Sequence, residues 1–589
     1  MHIVLVCVDA LRADHIGCYA GSDRGTPNID RLAAEGICFL NAVAQASWTR
    51  PSVTSLMTGL YPSQHFLTDD PQAARDGAAA LAALGGSVPT LSELLGGSGF
   101  ATAAFVAGNA FLKPEFGIMR GFSHVDWLTD TDGTAVVDRF RTWLDEAAPD
   151  RSFSYLHLME THNPLPKELL ASRPMVDKGV DLTTFDAGED TLRGYYAASV
   201  TKADDRIGDV LEVIESRGLA DDTWVIVTAD HGEELNEHGA MLSHGQSLYR
   251  QLVWVPLVMR LPGGRGSGRR VAEPVSHIDV MPTLLEQAGA ATPPLPGRSL
   301  HPLLAGTRPE NGAAAYSELL KRAKYVRSIT TGGHHFIETF HVTDTPTAGV
   351  ADLVPGVRVE IKGHPLPGGR FVPTKISVDD KATSKVLGVV ESVDADGGIV
   401  TIMGITFEVD AGAEFVGLDK EPFTLAELSP GDRVGADFVA APAPGERPVA
   451  QRIMRRKPGG ESKLEGPIES VDKQDGHHIT VLGRIVPVDE RAVRLVNRNG
   501  EATGLSRYDV VEIVRDGRYV SRHEELYDFT TDPAEARNLA SDQPALAKEL
   551  GARLGAWSDG LPRRPSGGGE EVELDDETVT RLRALGYLA

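Results

Sequence analysis

His2-Ile-Val-Leu-Val-Cys-Val-Asp9 and Trp224-Val-Ile-Val-Thr-Ala-Asp230-His231-Gly232-Glu233 are the two stretches that decide the fold of this chain. Each is a short run of aliphatic residues, several of them β-branched, without polar alternation. That is the pattern of a strand covered on both faces in a parallel sheet. Each run also stops on an acidic residue, and the carboxyl edge of an open α/β sheet is where ligands bind. Between them lies Ser47-Trp-Thr49-Arg-Pro51-Ser52, which runs on to Leu56-Met-Thr-Gly59. Pro near the first turn and Gly at the end bound a helix, so Thr49 falls at its N-terminus. There its oxygen meets free backbone N–H groups and the positive end of the helix dipole.

Asp9, Asp230 and His231 offer oxygen and nitrogen ligands and no thiolate. Such a set takes a divalent metal ion; the imidazole favours Mn²⁺ or Zn²⁺, with Mg²⁺ and Ca²⁺ also compatible. A cation beside Thr49 would favour its alkoxide, giving a metal-activated nucleophile for a small anionic ester. Taken singly, these residues are ordinary helix caps and turns. Their common placement at one sheet edge carries the reading.

From residue 1 to about 324, strand-like runs (Ile3–Val8, Thr102–Val106, Phe153–Leu158, Trp224–Thr228, Val255–Met259) alternate with helical stretches (Thr26–Gly36, Thr90–Gly96, Ala135–Ala147, Tyr195–Arg217, Met281–Gly289). This predicts an α/β fold with a mainly parallel sheet sandwiched by helices. Asp69–Gly86, rich in Ala, Gly and Asp, reads as a surface loop. Residues 325–523 change to Gly, Val and Asp with period-two alternation, and they repeat. Gly388-Val-Val-Glu-Ser-Val-Asp394 matches Gly466-Pro-Ile-Glu-Ser-Val-Asp472. Leu353-Val-Pro-Gly-Val-Arg-Val359 recurs as Leu428-Ser-Pro-Gly-Asp-Arg-Val434, and faintly as Leu505–Val511. Copies of roughly 70–80 residues predict inserted small β-barrels in tandem, suited to an accessory role or a protein partner. Residues 524–589, from Glu525-Leu-Tyr-Asp, read as a helical tail that ends in an amphipathic helix finishing Leu585-Gly-Tyr-Leu.

The 589 residues carry a net charge of −25, which argues against nucleic acid as a partner. Anion binding must then depend on local positive charge, for which a metal ion is the obvious source. Three cysteines, all within the first 40 residues, show no disulfide framework. No apolar stretch approaches the roughly 18 residues of a membrane span, and none resembles a signal peptide. The chain as written reads as cytoplasmic, or as exported if its start is misassigned.

Asp9-Ala-Leu-Arg12-Ala-Asp-His, Thr26-Pro-Asn-Ile-Asp-Arg-Leu, Pro51-Ser through Leu-Met-Thr-Gly59-Leu-Tyr-Pro, Asp230-His-Gly-Glu, Val255-Pro-Leu-Val, Asp279-Val-Met-Pro-Thr-Leu-Leu and Glu525-Leu-Tyr-Asp together resemble the sulfatase branch of the alkaline phosphatase superfamily. The resemblance implies that His162, in His-Asn-Pro164, binds an oxyanion or protonates a leaving group. It also implies that His244 and Arg12 bind substrate, and that Asp9, Thr49, Asp230 and His231 hold the metal. The departures are informative. Authentic sulfatases carry Cys-x-Pro-Ser-Arg, whose Cys matures to formylglycine; here the frame reads Thr49-Arg-Pro-Ser-Val53. Ala10 replaces the second Asp of the usual pair, and Asp230-His231 replaces Asp-Asn. These changes resemble the Thr-nucleophile relatives that handle phospho groups.

A phospho-Thr intermediate can be cleared by in-line attack at phosphorus, whereas a Thr sulfate would need slow attack by water at sulfur. The expected activity is metal-dependent hydrolysis or transfer of phosphoesters, diesters in particular. The alternatives are a sulfuric ester hydrolase working without formylglycine and an inactive binding scaffold. His238 and Asp204-Asp205 read as structural, and Glu160 with His162 and His244 as an incomplete second metal site.

Overall fold

The apolar runs become the middle of an eight-stranded sheet. In chain order its strands are β1 (His2–Val8), β2 (Ile37–Phe39), β3 (Ala101–Ala107), β4 (His124–Leu128), β5 (Ser152–Leu158), β6 (Thr223–Ala229), β7 (Leu257–Arg260) and β8 (Arg269–Val271). Their spatial order is β8-β2-β7-β6-β1-β5-β3-β4. β1 pairs parallel with both β6 and β5, and the parallel run continues through β3 to β4. All seven residues of each of β1, β5 and β6 are buried, as unalternating sequence requires.

One expected strand divides. Trp254–Val255 joins a small separate sheet, while Leu257–Arg260 becomes β7, antiparallel to both β6 and β2. Pro256 stands at the break; having no N–H, it cannot continue a ladder.

The computed structural model describes residues 1–68, 80–129, 132–162, 164–165, 175–176, 179–180, 189–239, 241–307, 313–321 and 324–341; within the insertion 358–365, 371–378, 384–403, 405–418, 421–439, 447–456, 462–472, 478–481, 484–487, 494–496, 511 and 514–515; and then 521–561, 571–573 and 578. The expected loop is described only from Ala80, where Ala80–Ala82 pairs with Glu571–Glu573. The terminal helix ending at Leu585-Gly-Tyr-Leu lies outside the described residues, as does nearly all of the faint third repeat phrase.

Helices cover the sheet. Those used below are α1 (Pro27–Glu35), α2 (Thr49–Thr58), α3 (Gly133–Ala147), α4 (Glu189–Ser216), α5 (Val280–Ala288) and α6 (Pro544–Gly560). α3 packs on β3 and β5, and α1 on β7 and α4. Asp204 and Asp205, adjacent in α4, take different roles. Asp204 is buried and accepts from the backbone N–H groups of Asn28 (3.0 Å) and Ile29 (2.8 Å), capping α1, whereas Asp205 faces solvent.

The chain forms two compact units, Met1–Thr339 with Glu524–Ala589, and Phe340–His523. In the first, Ala315–Lys321, Lys324–Thr331, His334–His341 and Ser521–Asp528 make a four-stranded sheet in that order. Residues 324–339 therefore pack with the first unit. The Glu525-Leu-Tyr-Asp phrase is a strand, and the expected tail helix begins only at Pro544 (α6). In the second unit, Ser384–Asp394, Ile399–Ile402, Ile405–Val416, Val449–Arg455 and Arg433–Val439 pair in sequence. The last returns to pair with the first, closing a five-stranded barrel. Its interior holds Val386, Val400, Phe407, Val434, Phe438 and Ile453. Ser462–Asp472, which carries the repeated phrase Gly466–Asp472, pairs with His478–Val481, and that with Arg484–Pro487, like the barrel's first three strands.

Candidate active site

Asp9 leaves the carboxyl end of β1, its N–H bonded to the Leu158 carbonyl at the end of β5 (2.8 Å). Both positions are fully buried, so the carboxylate must find partners inside. Asp9 Oδ2 accepts from Asn109 Nδ2 (2.9 Å) and Thr49 Oγ1 (3.2 Å), and lies 3.3 Å from His157 Nε2. Asp9 Oδ1 has no hydrogen bond; His231 Nε2 stands 3.6 Å away.

Asp230 leaves β6 at the same edge. Its Oδ1 accepts from the backbone N–H groups of His231 (2.8 Å) and Ala10 (3.1 Å), and Ala10 takes a left-handed φ of 59° that turns its N–H inward. Asp230 Oδ2 is buried without a hydrogen bond, 3.5 Å from His231 Nε2. His231 Nδ1 lies 2.7 Å from the Gly232 carbonyl. That contact assigns its proton to Nδ1, leaving Nε2 to face both carboxylates as a ligand. Gly232 is required sterically: a Cβ there would lie 1.9 Å from the Gln251 carbonyl oxygen.

Thr49 is the first residue of α2, follows an extended Trp48 and is fully buried. Its Oγ1 sits 3.2 Å from Asp9 Oδ2 and 3.4 Å from His231 Nε2. Ser52, one turn on, donates to the Asp230 carbonyl and ties the helix to the end of β6.

Imidazoles line one side of this centre. The His231 and His244 rings are 4.5 Å apart and those of His244 and His162 are 5.2 Å apart, with His244 Nδ1 3.2 Å from Glu233 Oε1. The structure thus gathers Asp9, Thr49, Asp230, His231, His162 and His244 into one cluster, all of them buried but the partly exposed His244. Arg12 is placed differently. Its guanidinium bonds Asp14 (2.7 Å), Glu237 (2.7 Å) and the Glu233 carbonyl (3.0 Å), so its charge is engaged by two carboxylates. His238, expected to be structural, stacks on Tyr249 with ring centres 3.6 Å apart.

Two residues of the cluster escaped the sequence reading. His157 is a polar residue inside an otherwise apolar buried strand, beside Cys7 of β1 in register. That intrusion, two residues from the edge carrying Asp9, was the available signal. Asn109 follows β3 at the same edge, where Gly108-Asn109 looks like any turn.

Burial alone would raise the carboxyl pKa of Asp9, but the charges of His162, His157 and His231 outweigh it and hold the group well below the usual carboxylate range. For Asp230, burial and then the Asp9 charge push the other way, and its pKa rises. His231 is desolvated, yet Asp230 and Asp9 raise its pKa. Burial pulls His162 down to about 4, so its imidazole is neutral at physiological pH. Two carboxylates converge here, each with one buried oxygen lacking a hydrogen bond, beside imidazoles that can also serve as ligands. That arrangement fits a divalent cation. Asp9, His157 and Asp230 each offer a ligand atom, all lying within 4.8 Å of one another. Asp9, Asp230 and His231 Nε2 would hold the ion, with Thr49 Oγ1 alongside.

Parts of the chain are similar to known proteins. Residues 1–290 match the family model described as Sulfatase, and residues 388–454, within the barrel, match a domain of unknown function (DUF5666). An uncharacterized sulfatase of Escherichia coli (strain K12), YidJ, is 26% identical over 363 residues, covering 51% of this chain and 70% of its own length. The multifunctional alkaline phosphatase superfamily protein PehA of Trinickia caryophylli is 27% identical over 405 residues, covering 53% of this chain and 78% of its own. Among solved structures, a phosphonate monoester hydrolase from Silicibacter pomeroyi aligns with a TM-score of 0.48 at 21% identity, covering 59% of this chain and 88% of the other. Residues 1–290 belong to the sulfatase family of the alkaline phosphatase superfamily, and the first unit is a hydrolase domain.

Proposed function

We propose that this chain is a metal-dependent hydrolase of anionic esters that uses Thr49 as its nucleophile, with phosphodiesters as the preferred class. The supporting observation is the position of Thr49 Oγ1, buried at a helix start between Asp9 Oδ2 (3.2 Å) and His231 Nε2 (3.4 Å). A bound divalent ion would supply Lewis acidity that favours the threonine alkoxide and offsets charge on the reacting group.

The residues themselves do the rest. Thr49 O–H faces Asp9 Oδ2, which sets the path by which its proton leaves. Thr49 Oγ then attacks phosphorus, and a P–O bond to threonine forms as the bond to the leaving oxygen breaks. The neutral His162 imidazole donates a hydrogen bond to the oxygens where charge builds, while His244, oriented by Glu233, would hold a charged oxygen of the substrate. Attack by water on the phospho-threonine restores the hydroxyl. Burial of Thr49, Asp9 and His162 excludes bulk water from the nucleophile.

A phosphodiester carries one negative charge and suits a site with one cation, which supports the diester preference. Hydrolysis of a sulfuric ester is the second reading, favoured by the Sulfatase model over residues 1–290 and the sulfatase among the matched relatives. The test is a panel of bis-aryl phosphate, aryl phosphonate, aryl phosphate and aryl sulfate with Mn²⁺, Zn²⁺, Mg²⁺ and Ca²⁺. Fastest turnover of the diester supports the first reading; preference for the sulfate reverses the ranking. The inserted β region, in which we place tandem copies of one barrel type, would serve a protein partner; removing it should leave small-substrate turnover intact.

A further inference from the structure

Glu535 lies in the tail that returns after the insertion, and it is unusual twice over. It is a non-glycine residue at a φ of 55°, and its side chain is fully buried. Left-handed backbone is strained for an ordinary L-residue, and Gly would adopt it freely. A turn alone gives no reason to keep Glu there, nor to bury its charge.

The side chain's partners supply the reason. Glu535 Oε2 accepts from the backbone N–H of Arg250 (2.8 Å) and Oε1 pairs with His335 Nδ1 (2.7 Å), while its own carbonyl lies 3.0 Å from His238 Nε2. Neighbouring tail residues grip the same place. The Ala534 carbonyl accepts from Gln251 Nε2 (2.9 Å), and Phe529 stacks over the Arg250 guanidinium at 4.0 Å, opposite Trp254 at 3.9 Å. Arg250 and Gln251 close the loop that begins at Glu233 and carries His244. The Gln251 carbonyl also packs against Gly232, next to His231.

We propose that Glu535 is a positioning residue: from the tail, it fixes the end of the loop that presents His244 to the anionic substrate. Because this rests on the proposed role of His244, the test needs one measurement that requires no substrate. Glu535→Gly is the informative variant, since glycine relieves the backbone strain and removes only the carboxylate's bonds. Amide hydrogen exchange across residues 233–252 should quicken at least tenfold, with exchange in β1 unchanged. On whichever ester the unaltered protein hydrolyses, KM should rise about tenfold or more with a smaller change in kcat. Glu535→Gln keeps one acceptor oxygen and should recover part of both effects.

Unchanged exchange in residues 233–252 of Glu535→Gly, with its melting temperature held or raised, would overturn the proposal and leave Glu535 an ordinary turn residue. Quickened exchange with KM unaltered would overturn it too, since the loop would then not be positioning a substrate group. If the unaltered protein hydrolyses no ester in the panel, the functional reading fails, and the exchange measurement still decides the clamp.

Discussion

Replacing Asp230 with Asn should make the metal-free protein more stable while abolishing its response to metal. The structure gives both signs. Asp230 Oδ1 accepts two backbone N–H bonds, which an asparagine oxygen keeps. Oδ2 has no hydrogen bond, lies 3.5 Å from His231 Nε2, and faces Asp9 across a group whose ligand atoms lie within 4.8 Å of one another. Two unit charges at that separation repel by about 3 kcal/mol at an effective dielectric of ~20. The hydrogen bonds that Asp9 accepts from Asn109 and Thr49 offset part of this, so the net gain on neutralising Asp230 should be about 1–3 kcal/mol. An asparagine Nδ2 in place of Oδ2 would also donate toward Asp9. For the unaltered protein, free Mn²⁺ at 100 times its Kd should stabilise by about 2.7 kcal/mol. Thermal unfolding in chelator and in Mn²⁺, followed by calorimetry, reads both effects. Asp230→Asn should melt above the unaltered protein in chelator, yet gain almost nothing from Mn²⁺. A variant that melts lower in chelator, or keeps the full Mn²⁺ increment, would refute the reasoning that these carboxylates converge on a cation.

Thr49→Val keeps the shape of the helix start and removes only the oxygen, so turnover should fall by about 10³-fold or more while calorimetric Mn²⁺ binding persists. Gly232→Ala forces the backbone beside His231 away from the Gln251 carbonyl and should cost about 10–100-fold in Mn²⁺ affinity, measured by titration. Burial pulls His277 down to about 3 while Thr228 Oγ1 bonds its Nε2 at 2.9 Å, and an imidazole with a depressed folded pKa stabilises fully above its unfolded value of about 6.5. That stability should therefore fall by about 2 kcal/mol between pH 7.5 and 5, and urea midpoints of His277→Gln should show a shallower loss over the same window. Joining residue 341 to residue 521 by a short polar linker should leave the first unit folded and active, because strands His334–His341 and Ser521–Asp528 are already hydrogen-bonded neighbours; circular dichroism and ester turnover check this.

Legibility in the sequence followed the kind of constraint involved. Strands β1 and β6 were readable because burial on both faces demands unbroken apolar runs, and Asp9 and Asp230 because they interrupt those runs at one edge. Thr49 was readable through the Pro and Gly that bound α2. His157 and Asn109 were not, because their role is set by which strands become neighbours, and β1 meets β5 and not another strand only in three dimensions. The division at Pro256 could have been read from proline's missing N–H, but the antiparallel sense of β7 could not. The boundary near residue 324 was set too early because strands 324–331 and 334–341 alternate like the insertion that follows them; only their pairing with Ser521–Asp528 separates the two. Arg12, expected to bind substrate, is engaged by Asp14 and Glu237, partners that its sequence position did not reveal.

The overall charge sharpens what this site has to do. A chain of net charge −25 repels an anionic ester at long range, and only within about 8–10 Å, inside the screening length of physiological salt, can local groups reverse the sign. The cluster brings Asp9 and Asp230 together with His157, His162, His231 and His244, and His162 is held neutral by burial. Without a cation the site therefore offers an anion little net positive charge. With a divalent ion the two carboxylates are neutralised, and His162 and His244 are left as hydrogen-bond donors for the substrate. On this argument metal binding must precede ester binding, because the ion supplies the charge that makes the pocket attractive to an anion at all. The same balance supports the diester over a dianionic monoester: one divalent ion offsets the two aspartates and leaves mainly imidazole donors, enough for one negative charge and meagre for two.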